Sequence, residues 1–388
     1  MKIRRCAVLY IEPREEMAID WAALFAGAST LAASTRWLAL APHMDREIEV
    51  HAADLAVLGS VSQAIWSERA ASEQRFDAAS IERLLELGLI VSDSADPGHA
   101  AIRERDETLR ATHWRPLSAL SHTFGRWRGV SAETGMHAPS FQELLDSYGE
   151  PPPATFEVGT AAEALKLPEV SSGLLDEVLF KRYTGRNFDL QASLPLPVVA
   201  RLLQRTFGAQ QLRQVGPHTS VLKKTSPSGG ALHPVEAFVL MQRVDGVEPG
   251  LYHYHPIDHA LRPVRTMTRD EAAALALYML ADQQWLAEAP MQVVMVARLE
   301  RLFWKYRNHH KALRATGLDA GHLSQTFYLL AAEAGLSAFI TAAINDADIE
   351  TMLNLDHLRH AVIAVGGCGL SSNQRNMAEL RYGETGAL

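Results

Sequence analysis

The chain has 388 residues, 47% of them hydrophobic and 21% charged, with a formal net charge of −8. That length suits two domains better than one core, and the composition excludes extensive disorder. The acidic balance removes any general attraction to nucleic acid, and no apolar run reaches the roughly 20 residues of a membrane span, since the alanine-rich stretch 21–42 is broken by Gly27, Ser29, Thr30, Ser34, Thr35 and Arg36.

In chain order, the apolar run 6–11 stops at Glu12 and Pro13, which predicts a first strand rather than a secretory segment and so a cytoplasmic protein. Cys6 and Cys368 match no metal spacing and are expected as free thiols. Leu55, Val57, Leu58, Val61 and Ile65 predict a helix over 53–66, and Ile81, Leu84 and Leu85 a second over 76–87. Gly88 is placed to cap that helix, before a strand at 89–91 and a polar turn at 92–98. Residues 1–110 thus read as a winged-helix-like domain. Its charge disfavours DNA, leaving peptide binding and plain packing as the open roles. Residues 111–171 read as a linker or arm, extended where Pro151, Pro152 and Pro153 follow one another and pinned by Trp114 and Trp127.

From residue 172 to 388 the elements predict one further domain. Helices are expected over 174–183 and 197–207. Then come a glycine loop, a strand over 236–244, a hairpin 251–255 to 260–264 and a helix over 269–288. A strand over 291–297, a helix through Lys305, a long helix over 317–335, a strand over 337–341, a short helix over 346–354 and a strand over 360–366 complete it. Strands separated by helices but interrupted by a hairpin describe an α+β sandwich, a mixed central sheet flanked by helices. No Gly-x-Gly-x-x-Gly follows the first strand, so a Rossmann domain is not expected. His253, His255 and His259 lie among tyrosines, with no carboxylate or cysteine completing a set, and no metal site is expected.

The most specific stretch is the loop 225–234, Thr-Ser-Pro-Ser-Gly-Gly-Ala-Leu-His-Pro, immediately before a strand. Two adjacent glycines there allow a flat ring to lie against the backbone. Arg182 and Arg186, four residues apart, offer cations for a phosphate, and Arg375 offers a third beyond Gly366 and Gly367. Together these motifs resemble the flavin site of the nitroreductase superfamily and, more narrowly, the SagB-type peptide dehydrogenases, over just over half of the chain. His233 stands where the family usually shows tyrosine, and Asp319, in Asp319-Ala-Gly-His322-x-x-Gln325, where it usually shows glutamate. Asp319, His322 and Gln325 share a helix face suited to a hydrogen-bond network.

The resemblance implies a nitroreductase-like fold that binds FMN through Arg182, Thr184, Arg186, Pro227, Ser228, Gly229, Gly230, Gln325, Gly366, Gly367 and Arg375. It further implies a homodimer acting on a peptide substrate, with a possible YcaO-type cyclodehydratase complex. The reaction it implies is oxidation of an azoline to an azole by hydride transfer to flavin N5. Lys305 and Tyr306, an adjacent pair just before the long helix, would assist proton removal as catalytic residues. A lysine desolvated among cations such as Arg301, Arg307 and Lys311 is fitted to serve as a base. Two alternatives stay open: an NAD(P)H-dependent reductase of dehydroamino acids or of nitro and quinone compounds, and a non-catalytic scaffold for a peptide-modifying complex.

Overall fold

The structure, a computed structural model, describes residues 1–19, 21–27, 31–132, 141–155, 164–217 and 219–384. Contacts divide the chain into two compact units. One comprises Met1–Arg126, Ala297–Gly317 and Glu350–Ala361; the other comprises Trp127–Val296, Leu318–Ile349 and Val362–Leu388. The segments 297–317 and 350–361 therefore group with the amino-terminal residues, across the boundaries that composition and motifs predict.

In the first unit β1 (Lys2–Arg5) pairs antiparallel with β5 (Ser67–Glu68) and β6 (Ile90–Ser92). Helix Ala78–Glu86 packs Ile81, Leu84 and Leu85 into the core with Val57 and Leu58 of helix Ala52–Ser60. Asp77 caps the former by accepting Ser80 N–H, and Gly88 (φ +74) stops it, as its spacing predicts. A Cβ at Gly88 would meet Met44 Sδ at 2.6 Å.

The winged-helix-like expectation misses a second sheet, β2 (Tyr10–Ile19), β3 (Leu31–Leu40) and β4 (Glu47–Val50). The charges of 12–16 hide a strand because their partners lie across the ladder, where Arg14 reaches Glu47 at 3.1 Å and Arg36 reaches Glu49 at 2.8 Å. Pro13 is tolerated because β2 is an edge strand. Residues 116–124, expected in an extended arm, form helix Pro116–Phe124, with Pro116 in its first turn.

The second unit is built on a six-stranded sheet. Its order is β11 (Ala260–Thr266), β10 (Gly250–His255), β9 (Val235–Met241), β12 (Met291–Arg298), β14 (His360–Gly369) and β13 (Ser337–Thr341). β12 is buried from Met291 to Ala297, the signature of a strand covered on both faces. The helix expected over 269–288 breaks in two, Arg269–Met279 and Gln284–Ala287, because Ala281 (φ +50) and Asp282 (φ +62) are left-handed. A hairpin that periodicity does not reveal, β7 (Gln211–Gly216) with β8 (Thr219–Lys223), leads into the glycine loop. Cys6 and Cys368 are buried free thiols, each pushed up to about 12 by burial. Among the described residues no helix is long and apolar enough to cross a membrane.

Asp106 holds the start of the first unit. Its fully buried carboxylate accepts Ala7 N–H at 2.6 Å, Arg110 Nε–H at 2.8 Å and Arg4 Nη2–H at 3.3 Å. Asp106→Ala removes the acceptor of the Ala7 amide and of Arg110 and leaves Arg4 to Glu107 alone, so chemical denaturation is expected to show a loss of about 1–3 kcal/mol in the first unit.

Candidate functional site

The glycine loop is shaped by one carboxylate. Ser228 is extended (φ −145), and a single 3-10 turn, Gly229–Ala231, follows it. Gly230 (φ +63), Ala231 (φ +58) and His233 (φ +45) then take left-handed conformations, which cost the two non-glycine residues about 1–2 kcal/mol each. The buried Asp319 offsets that strain. Its Oδ2 accepts the Ser228 hydroxyl at 2.6 Å and its Oδ1 accepts Gly229 N–H at 2.9 Å, while Ser228 Oγ accepts His233 N–H at 2.9 Å.

Asp319 belongs to the long helix Ala312–Glu333, which anchors the loop a second time two turns later. There the Thr326 and Ser226 hydroxyls lie 2.7 Å apart, and Ser226 also reaches the His322 carbonyl at 3.4 Å. The network expected among Asp319, His322 and Gln325 is thus replaced. Asp319 turns to the loop, and His322 and Gln325 are exposed. Pro227 is exposed beside the buried Ser226.

The same helix carries Tyr328, which the sequence motifs do not single out. The Arg182 guanidinium lies 5.4 Å from its ring centre, and Thr184 Oγ1 lies 3.3 Å from its hydroxyl, which accepts Ile340 N–H at 3.0 Å. Arg182 and Thr184 reach this place because the chain leaving helix Asp176–Lys181 runs beside β13, where Gly185 N–H donates to Ala338 O at 2.8 Å. A Cβ at Gly185 would meet Ser337 at 2.6 Å, so the Arg-x-x-Gly-Arg spacing has a packing cause. Among the described residues the Arg182 guanidinium donates no hydrogen bond within the chain, which leaves its fork free for an anion.

Arg186 is held differently. Its amide and that of Asn187 both donate to Glu379 Oε1, at 2.6 and 3.0 Å, and its guanidinium donates to Ala378 O at 3.1 Å. Arg381 completes the clamp at 2.6 Å from Glu379 Oε2, its guanidinium 4.1 Å from the Tyr183 ring centre. Burial alone would raise the Glu379 carboxyl, but the hydrogen bonds from Arg186, Arg381 and Asn187 outweigh it and hold the group below the usual glutamate range.

Arg375 makes a two-point pair with Glu384, both bonds 3.0 Å and both residues exposed. Gly366 and Gly367 sit inside β14, where a Cβ at 367 would strike the Phe339 ring at 2.5 Å and Met291 O at 2.8 Å. Packing against β12 and β13 therefore suffices to explain these two glycines. Lys305 and Tyr306 end helix Leu299–Lys305 in the first unit. Lys305 Nζ lies 5.5 Å from the Tyr306 ring centre, and Lys305 is exposed rather than desolvated in the single chain.

The geometry can be compared with known proteins. A family model described as the nitroreductase family matches residues 179–369. A protein of Methanocaldococcus jannaschii described as a nitroreductase is 30% identical over 202 residues, which are 52% of this chain and 95% of that one. The microcin B17-processing protein McbC of Escherichia coli is 27% identical over 189 residues, 47% of this chain and 64% of that protein. A solved structure of the E. coli microcin synthetase McbBCD complex, with a truncated pro-peptide bound, contains a chain that matches at 22% identity and a TM-score of 0.47, covering 69% of this chain and 94% of that one.

Two outcomes test the geometry. Asp319→Ala leaves the Ser228 hydroxyl and the Gly229 amide without their acceptor, at about 1–3 kcal/mol; hydrogen exchange at the Gly229 and His233 amides is expected to speed by about tenfold or more. The folded-state value of Glu379 lies below its unfolded one, so its contribution is complete above the ordinary glutamate range and is lost as pH falls from that range through the lower folded-state value. Acidification is therefore expected to release the 376–381 segment, read by amide exchange at Arg186 and Asn187, and Glu379→Gln to remove that pH dependence.

Proposed function

The chain belongs to the nitroreductase family of oxidoreductases, and from that premise we propose that it is an FMN-dependent dehydrogenase of ribosomal-peptide maturation that oxidises azolines to azoles. The observation that carries the reading is the similarity over 189 residues to a microcin-processing protein, in a chain that also bears the adjacent Lys305-Tyr306 pair.

The residues of the second unit suit a flavin mononucleotide by the chemistry of their donors. Arg182, its guanidinium supported on Tyr328 and without a hydrogen bond within the chain among the described residues, would hold the phosphate with Thr184. The backbone of 227–230, kept in its strained turn by Asp319, would carry the ring. Arg375 would join by leaving Glu384, a solvent-screened pair that is easily exchanged. When bound, FMN would supply the acceptor for two electrons, taken as hydride at N5, with oxygen as the final oxidant. The chain's own task is the proton: Lys305 would take it from the azoline carbon, and Tyr306 would orient the amine or pass the proton on.

The substrate in this reading is a peptide, presented by a complex with a YcaO-type cyclodehydratase, and the working form is a homodimer. Leu165, Leu167, Val170 and Leu174 are each more than four-fifths exposed in the single chain, which supports a second copy as their cover. A reductase reading has the M. jannaschii relative behind it.

The purified flavoprotein separates the two. Bleaching of its yellow colour by NAD(P)H within seconds would favour the reductase. Slow or absent bleaching, with conversion of a thiazoline peptide under air, is the expected result. Lys305→Ala is expected to lower that conversion by at least about a hundredfold, the scale of one lost acid-base group, with flavin still bound.

A further inference from the structure

Helix Leu299–Lys305 has seven residues and cannot hold itself in water. Its direction is therefore set by what it touches, and within the first unit three attachments bracket Lys305 and Tyr306. At the start, Leu299 N–H donates to Arg359 O at 2.8 Å. In the middle, the buried Phe303 ring meets Trp114 edge-on, centres 4.8 Å apart and planes at 71°. Beyond the end, Asn308 N–H donates to His113 O at 3.0 Å. Asn308 (φ +52) and His113 (φ +58) are both left-handed, a conformation that at His113 the surrounding contacts must hold.

Trp114 is itself fixed on two further sides. Its indole Nε1–H donates to Leu358 O at 2.8 Å, and its ring stacks on His122 with centres 5.3 Å apart. Burial, ahead of the nearby Arg126 and His357 charges, pushes the His122 imidazole down to about 3, so the ring is neutral at working pH. Its Nε2 lies 3.0 Å from the His357 carbonyl, an acceptor only, which assigns the remaining proton to Nε2. The seat under Phe303 is thus a neutral, hydrogen-bonded aromatic stack.

Resting on the reading of Lys305 and Tyr306 as the proton-handling pair, we infer that Trp114 is a positioning residue for them, setting the roll of their helix through Phe303. Lys305 follows Phe303 by two residues, about 200° around the helix axis. Burying Phe303 against Trp114 therefore turns the lysine to the opposite, open side. The His113 carbonyl then fixes the turn after Tyr306, so that neither side chain drifts along the chain.

The test uses the full chain, with and without FMN, and three variants: Trp114→Phe, Phe303→Leu and Lys305→Ala. Trp114→Phe keeps an aromatic ring but loses the bond to Leu358 O. Phe303→Leu keeps an apolar group under the helix and guards against a tryptophan variant that does not fold. With a synthetic peptide carrying one thiazoline, both are expected to lower kcat by about tenfold or more, the scale of a small misplacement of reacting groups, with the peptide KM and flavin content unchanged.

In the flavin-free chain, the rate at which an amine-reactive probe labels Lys305, read by mass spectrometry against the exposed Lys181, is expected to change, since the probe reports how the amine is presented. An unchanged kcat in a folded Trp114→Phe or Phe303→Leu chain, with only a lower melting temperature, overturns the inference. If Lys305→Ala keeps its turnover, or the peptide is not turned over at all, the reading of the pair fails instead. The labelling ratio then decides by itself whether Trp114 positions the segment: a changed ratio upholds it and an unchanged one overturns it.

Discussion

A single buried carboxylate sets the conditions for the site in the second unit. Asp319 has two oxygens to satisfy away from water, and the hydroxyl of Ser228 and the amide of Gly229 satisfy them. That requirement draws the loop onto the long helix and holds the positive-φ backbones of Gly230, Ala231 and His233, which would otherwise relax. The helix then acts as a ruler. Asp319 and Thr326, seven residues apart on one face, fix the loop, and Tyr328, two residues beyond Thr326 and about 200° around the axis, carries Arg182 and Thr184. A group that bound both the arginine and the loop would meet surfaces already registered to each other by one rigid element.

The first unit follows a different logic, in which short elements are held by groups distant in sequence. Asp106 gathers Arg4, Ala7 and Arg110, while the buried Arg126 guanidinium joins Asp45 and Glu350. Trp114 and His122 bond to carbonyls of 357–358. Buried ionic groups of this kind add little net stability beyond an apolar core, yet each demands its own partner and so excludes other arrangements. The Lys305-Tyr306 segment inherits that specificity through Phe303 and Asn308. Its own sequence, basic and aromatic, would suit an exposed surface helix equally well.

Much of the second unit was legible because its signals are local. The glycine loop, the strands flanking it, the hairpin at 250–266 and the long helix each announce themselves within a few residues, and Gly88 declares its cap by position alone. The misses share a cause. β2 and β3 carry charges with partners on other strands, 33 residues away for Arg14 with Glu47 and 13 for Arg36 with Glu49, so period-2 reading sees only a polar stretch. The packing cause at Gly367, where the Phe339 ring and Met291 carbonyl crowd the backbone, is likewise invisible until the sheet is assembled. Tyr328 and Glu379 lie in no motif, and their importance appears only when Thr184 and the Arg186 amide are found beside them.

The sequence by itself determined the class of the protein: the spacing of Arg182 and Arg186, the Ser-Pro-Ser-Gly-Gly loop and the adjacent Lys305-Tyr306, in that order, identify the family, since each is a run of neighbours whose chemistry is fixed by covalent proximity. Tertiary structure alone decided that Asp319 closes the loop from 90 residues away, that Glu379 clamps Arg186, and that the Lys305 segment groups with the amino-terminal residues. The reason is physical. A buried polar group accepts whichever donor the packing brings within 3 Å, and that choice leaves no periodic trace in the chain.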